Sequence, residues 1–219
     1  MSNWNESLVT LTQPRSVAAE AYRTLRTNLQ FASLDRPLRT LLVTSPGPED
    51  GKTTTLANLA ITFAQTGLRV LIVDCDLRRP SLHTLFGLAN ERGLTNYLLD
   101  DATGEPPVQA TGVDGLALIA TGPLPHNPSE LLASRRMERA LAALTERAEL
   151  VLLDSPPVVA VSDAAILGRK VDGVLLVLSA GKTRRDHAAQ ARRTLERANV
   201  NLLGAVLNNV RLVGALYRS

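Results

Sequence analysis

"TSPGPEDGKTTT", residues 44–55, follows the apolar residues Leu41, Leu42 and Val43 and precedes apolar residues at helical spacing: Leu56, Ala57, Leu59, Ala60 and Phe63. A strand, a glycine-bearing loop and Gly51-Lys52-Thr53 opening a helix form the layout of a phosphate-binding loop. Gly51 permits a tight turn, successive amides can face phosphate oxygens, and the helix adds its positive end. Lys52 offers a point charge to β- and γ-phosphates, and the Thr53 hydroxyl offers a ligand to Mg²⁺. Gly47, Pro48, Glu49, Asp50, Gly51, Lys52, Thr53 and Thr54 are the candidate cradle. The usual pattern, G-x-x-x-x-G-K-[ST], wants glycine at position 46, where Pro46 stands. Gly47 is expected to take over part of the missing flexibility.

Outward from this loop, short apolar runs recur at 38–45, 69–74, 116–120, 150–154, 173–180 and 201–208. Most are continuous and rich in Val, Leu and Ile, as strands buried on both faces are. Between them, residues 16–32, 52–65, 129–147, 162–169 and 184–198 space their apolar residues three or four apart. This alternation predicts an α/β doubly wound, mostly parallel sheet flanked by helices. Residues 100–115 and 121–130 read as loops, the second ending in Ser129 as a helix N-cap after Pro128. The 219 residues suit one domain.

Two further stretches carry chemistry. In "RVLIVDCDLRRP" a buried strand runs into Asp74 and Asp76, with Arg78 two residues on. Ligands of open α/β sheets bind at the carboxyl ends of strands. Carboxylates at i and i+2 point the same way off a strand, which suits a magnesium ion or a hydroxyl that must lose its proton. In "ELVLLDSPPV" four apolar residues lead to Asp154, a magnesium-binding aspartate in the layout of phosphate-loop enzymes. Pro156-Pro157 turns the chain out of the strand. Asp163 is expected as the cap of the next helix. Lys52, Asp74, Asp76 and Asp154 are thus the candidate catalytic set, and Thr53 with the three aspartates the candidate metal ligands. They imply a protein that binds Mg²⁺ with a nucleoside triphosphate.

Composition excludes several classes. The net charge is +3, and arginine is scattered rather than clustered, so a nucleic-acid stripe is not indicated. Aromatic residues are 3%, too few for a base-stacking platform. Cys75 is the sole cysteine and reads as a small buried side chain. His83, His126 and His187 lie far apart, which implies no metal cluster. The first sixteen residues lack the pattern of a secretory signal, and no apolar run approaches the ~20 residues of a membrane helix. A soluble, cytoplasmic chain is expected.

Three motifs in this order, "SPGPEDGKTT", "VLIVDCDLRRP" and "LVLLDSPPVVAVSDA", resemble the cytoplasmic tyrosine kinases of bacterial capsule and exopolysaccharide synthesis. "LPHNPSELLASRRM" is similar to that family's N-P-S-E-L-L-x-S segment, and "EAYRTLRTNLQF" to its E-x-x-R-x-x-R helix. The resemblance runs from about residue 16 to 209, and that family's loop also lacks the first glycine. It implies an ATP- and Mg²⁺-dependent, autophosphorylating protein-tyrosine kinase. Lys52 and Thr53 would hold phosphates and metal, and Asp74 and Asp154 would organise the metal. Asp76 would assist them or take the tyrosine proton, and Asn208 would touch the adenine. Glu20, Arg23 and Arg26, on a helix over about 16–32, would join copies into a ring. The activator would be a membrane-anchored regulator of polysaccharide chain length, holding the kinase at the inner face of the plasma membrane.

One departure stands out. Such kinases usually end in a tyrosine-rich tail, whereas the tail at 210–219 carries Tyr217 alone. Tyr217 is a candidate phosphoacceptor or a terminal aromatic, and Tyr22 and Tyr97 are expected in helices. Partition and division-site ATPases share the expected fold, but their signature lysine would stand where Gly47 is. A non-catalytic ATP-binding regulator of polysaccharide export is the third alternative.

Overall fold

The computed structural model describes residues 5–32 and 37–210. The six apolar runs form strands, joined by a two-residue strand inside the stretch expected as a loop. These are β1 (Thr40–Thr44), β2 (Val70–Asp74), β3 (Gln109–Ala110), β4 (Leu116–Ile119), β5 (Leu150–Asp154), β6 (Gly173–Ser179) and β7 (Leu202–Asn208). They pair in the order β3-β4-β2-β5-β1-β6-β7. Only β3 runs antiparallel to its neighbour; the other described pairings are parallel. The expected doubly wound, mostly parallel sheet is therefore present.

Strand periodicity divides the core in two. Leu42, Leu71, Val73, Val151 and Leu153 face one side. Leu41, Val43, Val70, Ile72, Leu150 and Leu152 face the other. Side chains alternate across a strand, so a continuous apolar run fills both faces at once. On the second face lie α1 (Val9–Thr12), α2 (Val17–Ala32), α3 (Lys52–Ala64) and α4 (Leu82–Phe86). The first face is covered by α5 (Leu94–Leu99), α6 (Pro128–Ala133), α7 (Arg135–Arg147), α8 (Asp163–Gly168) and α9 (Arg185–Arg197).

Several sequence expectations need correction. The helix expected over 129–147 is two helices, because Ser134 is extended and its hydroxyl accepts from the Met137 amide, capping α7. Ser129 is not a cap. Pro128 takes the first helical position, where its missing N–H is harmless, and Asn127 precedes it. α1 and α4 were not anticipated, since four or five residues are too few for a 3.6-residue period to register, whereas α5 is the helix expected around Tyr97.

A buried amide ties the first described segment to α3. Asn58 of α3 is fully buried, and its Oδ1 accepts from both the amide and the hydroxyl of Thr10 at 3.0 and 2.9 Å. Its Nδ2 donates to the carbonyls of Ser7 and Thr54. Asn58→Ala would leave these groups unpaired in the interior. Urea denaturation should show a loss of about 1–3 kcal/mol, with proteolysis beginning in residues 5–12. Unchanged stability would mean that this segment does not depend on Asn58.

Candidate active site

β1 delivers the chain to the carboxyl edge of the sheet at Thr44, and α3 leaves that edge at Lys52. The turn between them is braced from both sides. The Thr44 hydroxyl donates to the Pro156 carbonyl, and the Val158 amide to the Ser45 carbonyl. The Asp50 carboxylate accepts from the Gly47 amide at 2.9 Å and from the Thr183 hydroxyl at 2.8 Å. Lys182 pairs with Glu49 at 2.9 Å and holds its carboxyl below the usual range. Asn208, at the end of β7, donates to the Asp50 carbonyl at 3.3 Å.

Gly47 does not replace the missing glycine. Left-handed backbone falls at Glu49 (φ 59°) and Gly51 (φ 92°), not at residue 47. Gly51 serves a second purpose, because a Cβ there would lie 2.0 Å from Asn208 Nδ2. Pro46 is buried, while Pro48 and Glu49 are exposed. No side chain caps α3, whose first amides stay available at the turn.

Lys52 is the electrostatic centre. Its Nζ lies 3.1 Å from Asp76, 3.4 Å from Asp154 and 3.1 Å from the Thr53 hydroxyl. Thr53 in turn donates to Asp154 at 2.6 Å. Burial alone would lower the lysine's affinity for its proton, but Asp154, Asp76 and Asp74 outweigh it and hold it raised. The aspartates feel the opposite pressure. Burial, with repulsion from Asp154, pushes Asp74 up to about 7, against the Leu82 amide and Lys52. Burial also raises Asp154, opposed by Lys52 and Thr53. Three carboxylates around one ammonium leave the site short of positive charge.

Asp74 and Asp76 do not project as a strand pair, because β2 stops at Asp74. Asp74 accepts the amides of Ser81 and Leu82 at 3.0 Å each, which orders the turn into α4. Asp76 sits in that turn. Its Oδ1 accepts from the Arg78 and Arg79 amides, and its Oδ2 faces Lys52. Among the described residues, no three His, Cys, Asp or Glu are arranged to enclose a metal. Magnesium commonly takes one or two carboxylates plus substrate phosphates, and the Thr53–Asp154 pair suits that mode. Asp163, expected as a cap, makes no cap bond; it is fully buried and paired with Arg78 at 2.8 Å.

The structure therefore gathers Lys52, Thr53, Asp74, Asp76 and Asp154 at one edge, with Asn208 beside the loop. Thr54, in the first turn of α3, gives its carbonyl to Asn58. Lys182 and Thr183 were missed, although they follow β6 on the same edge in a second Gly-Lys-Thr at 181–183. Tyr97 is buried and Tyr22 half-buried. Tyr217 lies outside the described residues.

The three residues of α2 expected to join copies, Glu20, Arg23 and Arg26, find partners within the chain. Glu20 and Arg23 pair at 2.8 Å, and Arg23 also donates to the Pro14 carbonyl. Arg26 donates to the Thr62 carbonyl of α3 at 2.8 Å.

The geometry is that of a P-loop nucleotide-binding domain. The CobQ/CobB/MinD/ParA nucleotide binding domain family matches residues 41–218. Tyrosine-protein kinase YwqD of Bacillus subtilis is 44% identical over 96% of this chain and 89% of its own length. The putative tyrosine-protein kinase CapB of Staphylococcus aureus is 35% identical over 90% of this chain and 87% of its own. The solved kinase domain of Escherichia coli tyrosine kinase ETK superposes with a TM-score of 0.90 at 38% identity, covering 97% of this chain and 83% of that one. The chain belongs to this nucleotide-binding family and, within it, to the bacterial tyrosine-protein kinases. No helix among the described residues is long and apolar enough to cross a membrane.

Arg26 and Arg23 should separate on substitution. Arg26→Ala removes a charged donor from a carbonyl of the same chain and should lower stability by about 1 kcal/mol. Arg23→Ala removes a surface pair and a solvent-exposed bond to the Pro14 carbonyl, and should change it by less than ~0.5 kcal/mol. Denaturation curves at one protein concentration read both. Equal losses would show that the Arg26 contact contributes nothing specific.

Proposed function

We propose that this chain is a Mg·ATP-dependent protein-tyrosine kinase, autophosphorylating, that acts in the synthesis and export of capsular or extracellular polysaccharide. The observation that carries the catalytic part is the buried Lys52 at the head of α3, contacting Asp76, Asp154 and Thr53 together. The relatives' names support transfer to tyrosine, and the motif resemblance supports the polysaccharide setting.

Bound Mg·ATP would supply the phosphoryl group, with the metal neutralising its charge. The donor set fits it. The loop amides and uncapped first turn of α3 suit phosphate oxygens, and the excess of carboxylates suits a divalent cation. Thr53 and Asp154 would hold the metal, with Asp74 keeping the adjoining turn in place. Lys52, held protonated, would swing from its carboxylates to the β- and γ-phosphates. Asp76 would accept the proton that a tyrosine hydroxyl releases as its oxygen takes the γ-phosphoryl group and the bond to the leaving ADP breaks. Asn208, beside the loop, would meet the nucleotide's base.

Tyr217 is the proposed phosphoacceptor on a neighbouring copy, beside tyrosines of other proteins. Glu20 and Arg23, at the exposed side of α2, and Arg26 would contribute to a ring of copies. A membrane-anchored regulator of polysaccharide chain length would recruit the kinase to the inner face of the plasma membrane and activate it.

Incubation with Mg·ATP followed by phosphosite mapping tests the proposal. Label on tyrosine is expected, with Tyr217→Phe removing the tail site. Lys52→Met should lower transfer by roughly 100-fold or more, since it deletes the charge facing the transferred group. Circular dichroism would establish that this variant is folded. Steady release of inorganic phosphate with no phosphotyrosine would instead favour an ATPase switch.

A further inference from the structure

Beyond the residues that would touch the nucleotide, the turn carrying Asp76 is gripped from outside. Asp163 opens α8, on the segment that follows β5, and is completely buried. It receives the Arg78 guanidinium in a fork, Nε at 2.8 Å and Nη2 at 3.2 Å. The Ser129 hydroxyl of α6 donates to the same carboxylate at 2.6 Å. Arg78 Nη2 also reaches the Ser129 oxygen at 3.0 Å. One arginine thus joins three separate segments: the turn after β2, the start of α6 and the start of α8.

The main chain of Arg78 works on Asp76. Its amide and that of Arg79 donate to Asp76 Oδ1 at 3.3 and 2.9 Å, leaving Oδ2 to face Lys52 at 3.1 Å. The side chain therefore fixes the turn whose amides orient the carboxylate. A forked guanidinium–carboxylate contact sets direction as well as distance, which an ammonium cannot do.

We propose that Arg78 and Asp163 are a positioning pair for phosphoryl transfer, holding the 76–79 turn so that Asp76 keeps its place beside Lys52. Neither residue touches the reacting atoms; both act through Asp76. The inference rests on the kinase reading for the role of Asp76.

The test separates positioning from folding. Arg78→Ala alone strands a buried carboxylate and should lower the melting temperature. Arg78→Ala with Asp163→Asn removes the stranded charge and should recover most of that loss. Transfer to a tyrosine peptide would be measured for both, with Arg78→Lys as the conservative variant. The expected result is that kcat falls roughly 10–100-fold in all three, including the restabilised double variant. KM for Mg·ATP should stay within about twofold, since Lys52 and the loop are untouched.

If the double variant regains both melting temperature and kcat, the pair is structural and the proposal falls. It falls equally if Arg78→Lys retains full kcat, because then the fork is not needed. Should the unaltered chain hydrolyse ATP without labelling tyrosine, the kinase reading fails separately. The same pattern in hydrolysis rates would still support the pair, and flat rates would overturn it.

Discussion

One ammonium among three buried carboxylates sets the terms for the rest of this molecule. Lys52 is close to Asp76 and Asp154, and Asp74 stands beside them with its carboxyl pushed up to about 7. A folded chain gains nothing from such crowding, because each buried carboxylate loses hydration and repels the others. The arrangement makes sense as a place where more positive charge arrives with a ligand. Strain of this kind concentrates at functional sites, where stability is given up for chemistry. The surrounding hydrogen bonds keep the excess charge in one geometry: three amides on Asp74, two on Asp76 and a hydroxyl on Asp154.

The loop before Lys52 solves a related problem without the usual first glycine. Pro46 is buried and rigid, so the turn takes its left-handed residues at Glu49 and Gly51 instead. A non-glycine residue at positive φ is unfavourable unless its surroundings insist on it. Here Glu49 is tied to Lys182, Asp50 to Thr183 and Gly47, and the Asp50 carbonyl to Asn208. Lys182 and Thr183 follow β6 and Asn208 ends β7, while Gly47 belongs to the loop itself. The loop is thus held by the sheet edge, with contacts where a more conventional loop would use glycine.

Much of this was legible in the chain. Six apolar runs marked six strands because buried parallel strands need apolar side chains on both faces. Leu71 and Ile72, adjacent in sequence, lie in different cores. Lys52, Thr53, Asp74 and Asp154 stood out because each ends a strand or opens a helix, and Asp76 because it stands two residues past the end of β2. What escaped notice depended on contacts across long sequence distances. Asp163 looked like a cap because it opens a helix, but its partner Arg78 is 85 residues away. The Ser134 break inside an amphipathic stretch leaves the apolar spacing nearly intact, so periodicity ran straight through it. β3 is two residues long and has no pattern to read.

The choice of cation at each position follows the same physical division. Only three of the 24 basic residues are lysines, at 52, 170 and 182. Arginine's planar fork binds a carboxylate along two parallel bonds and is slow to exchange partners, which suits Arg78 on Asp163. An ammonium is a point charge on a flexible stem that can turn toward whichever oxygens lie nearest. Lys52 shares its single nitrogen among Asp76, both oxygens of Asp154 and the Thr53 hydroxyl at 3.1–3.4 Å. An arginine there would lock onto one carboxylate and be poorly placed to leave it for a phosphate. The site thus sets an ammonium shared among several oxygens beside a guanidinium committed to one carboxylate, and that committed pair joins the turn carrying Asp76 to α6 and α8.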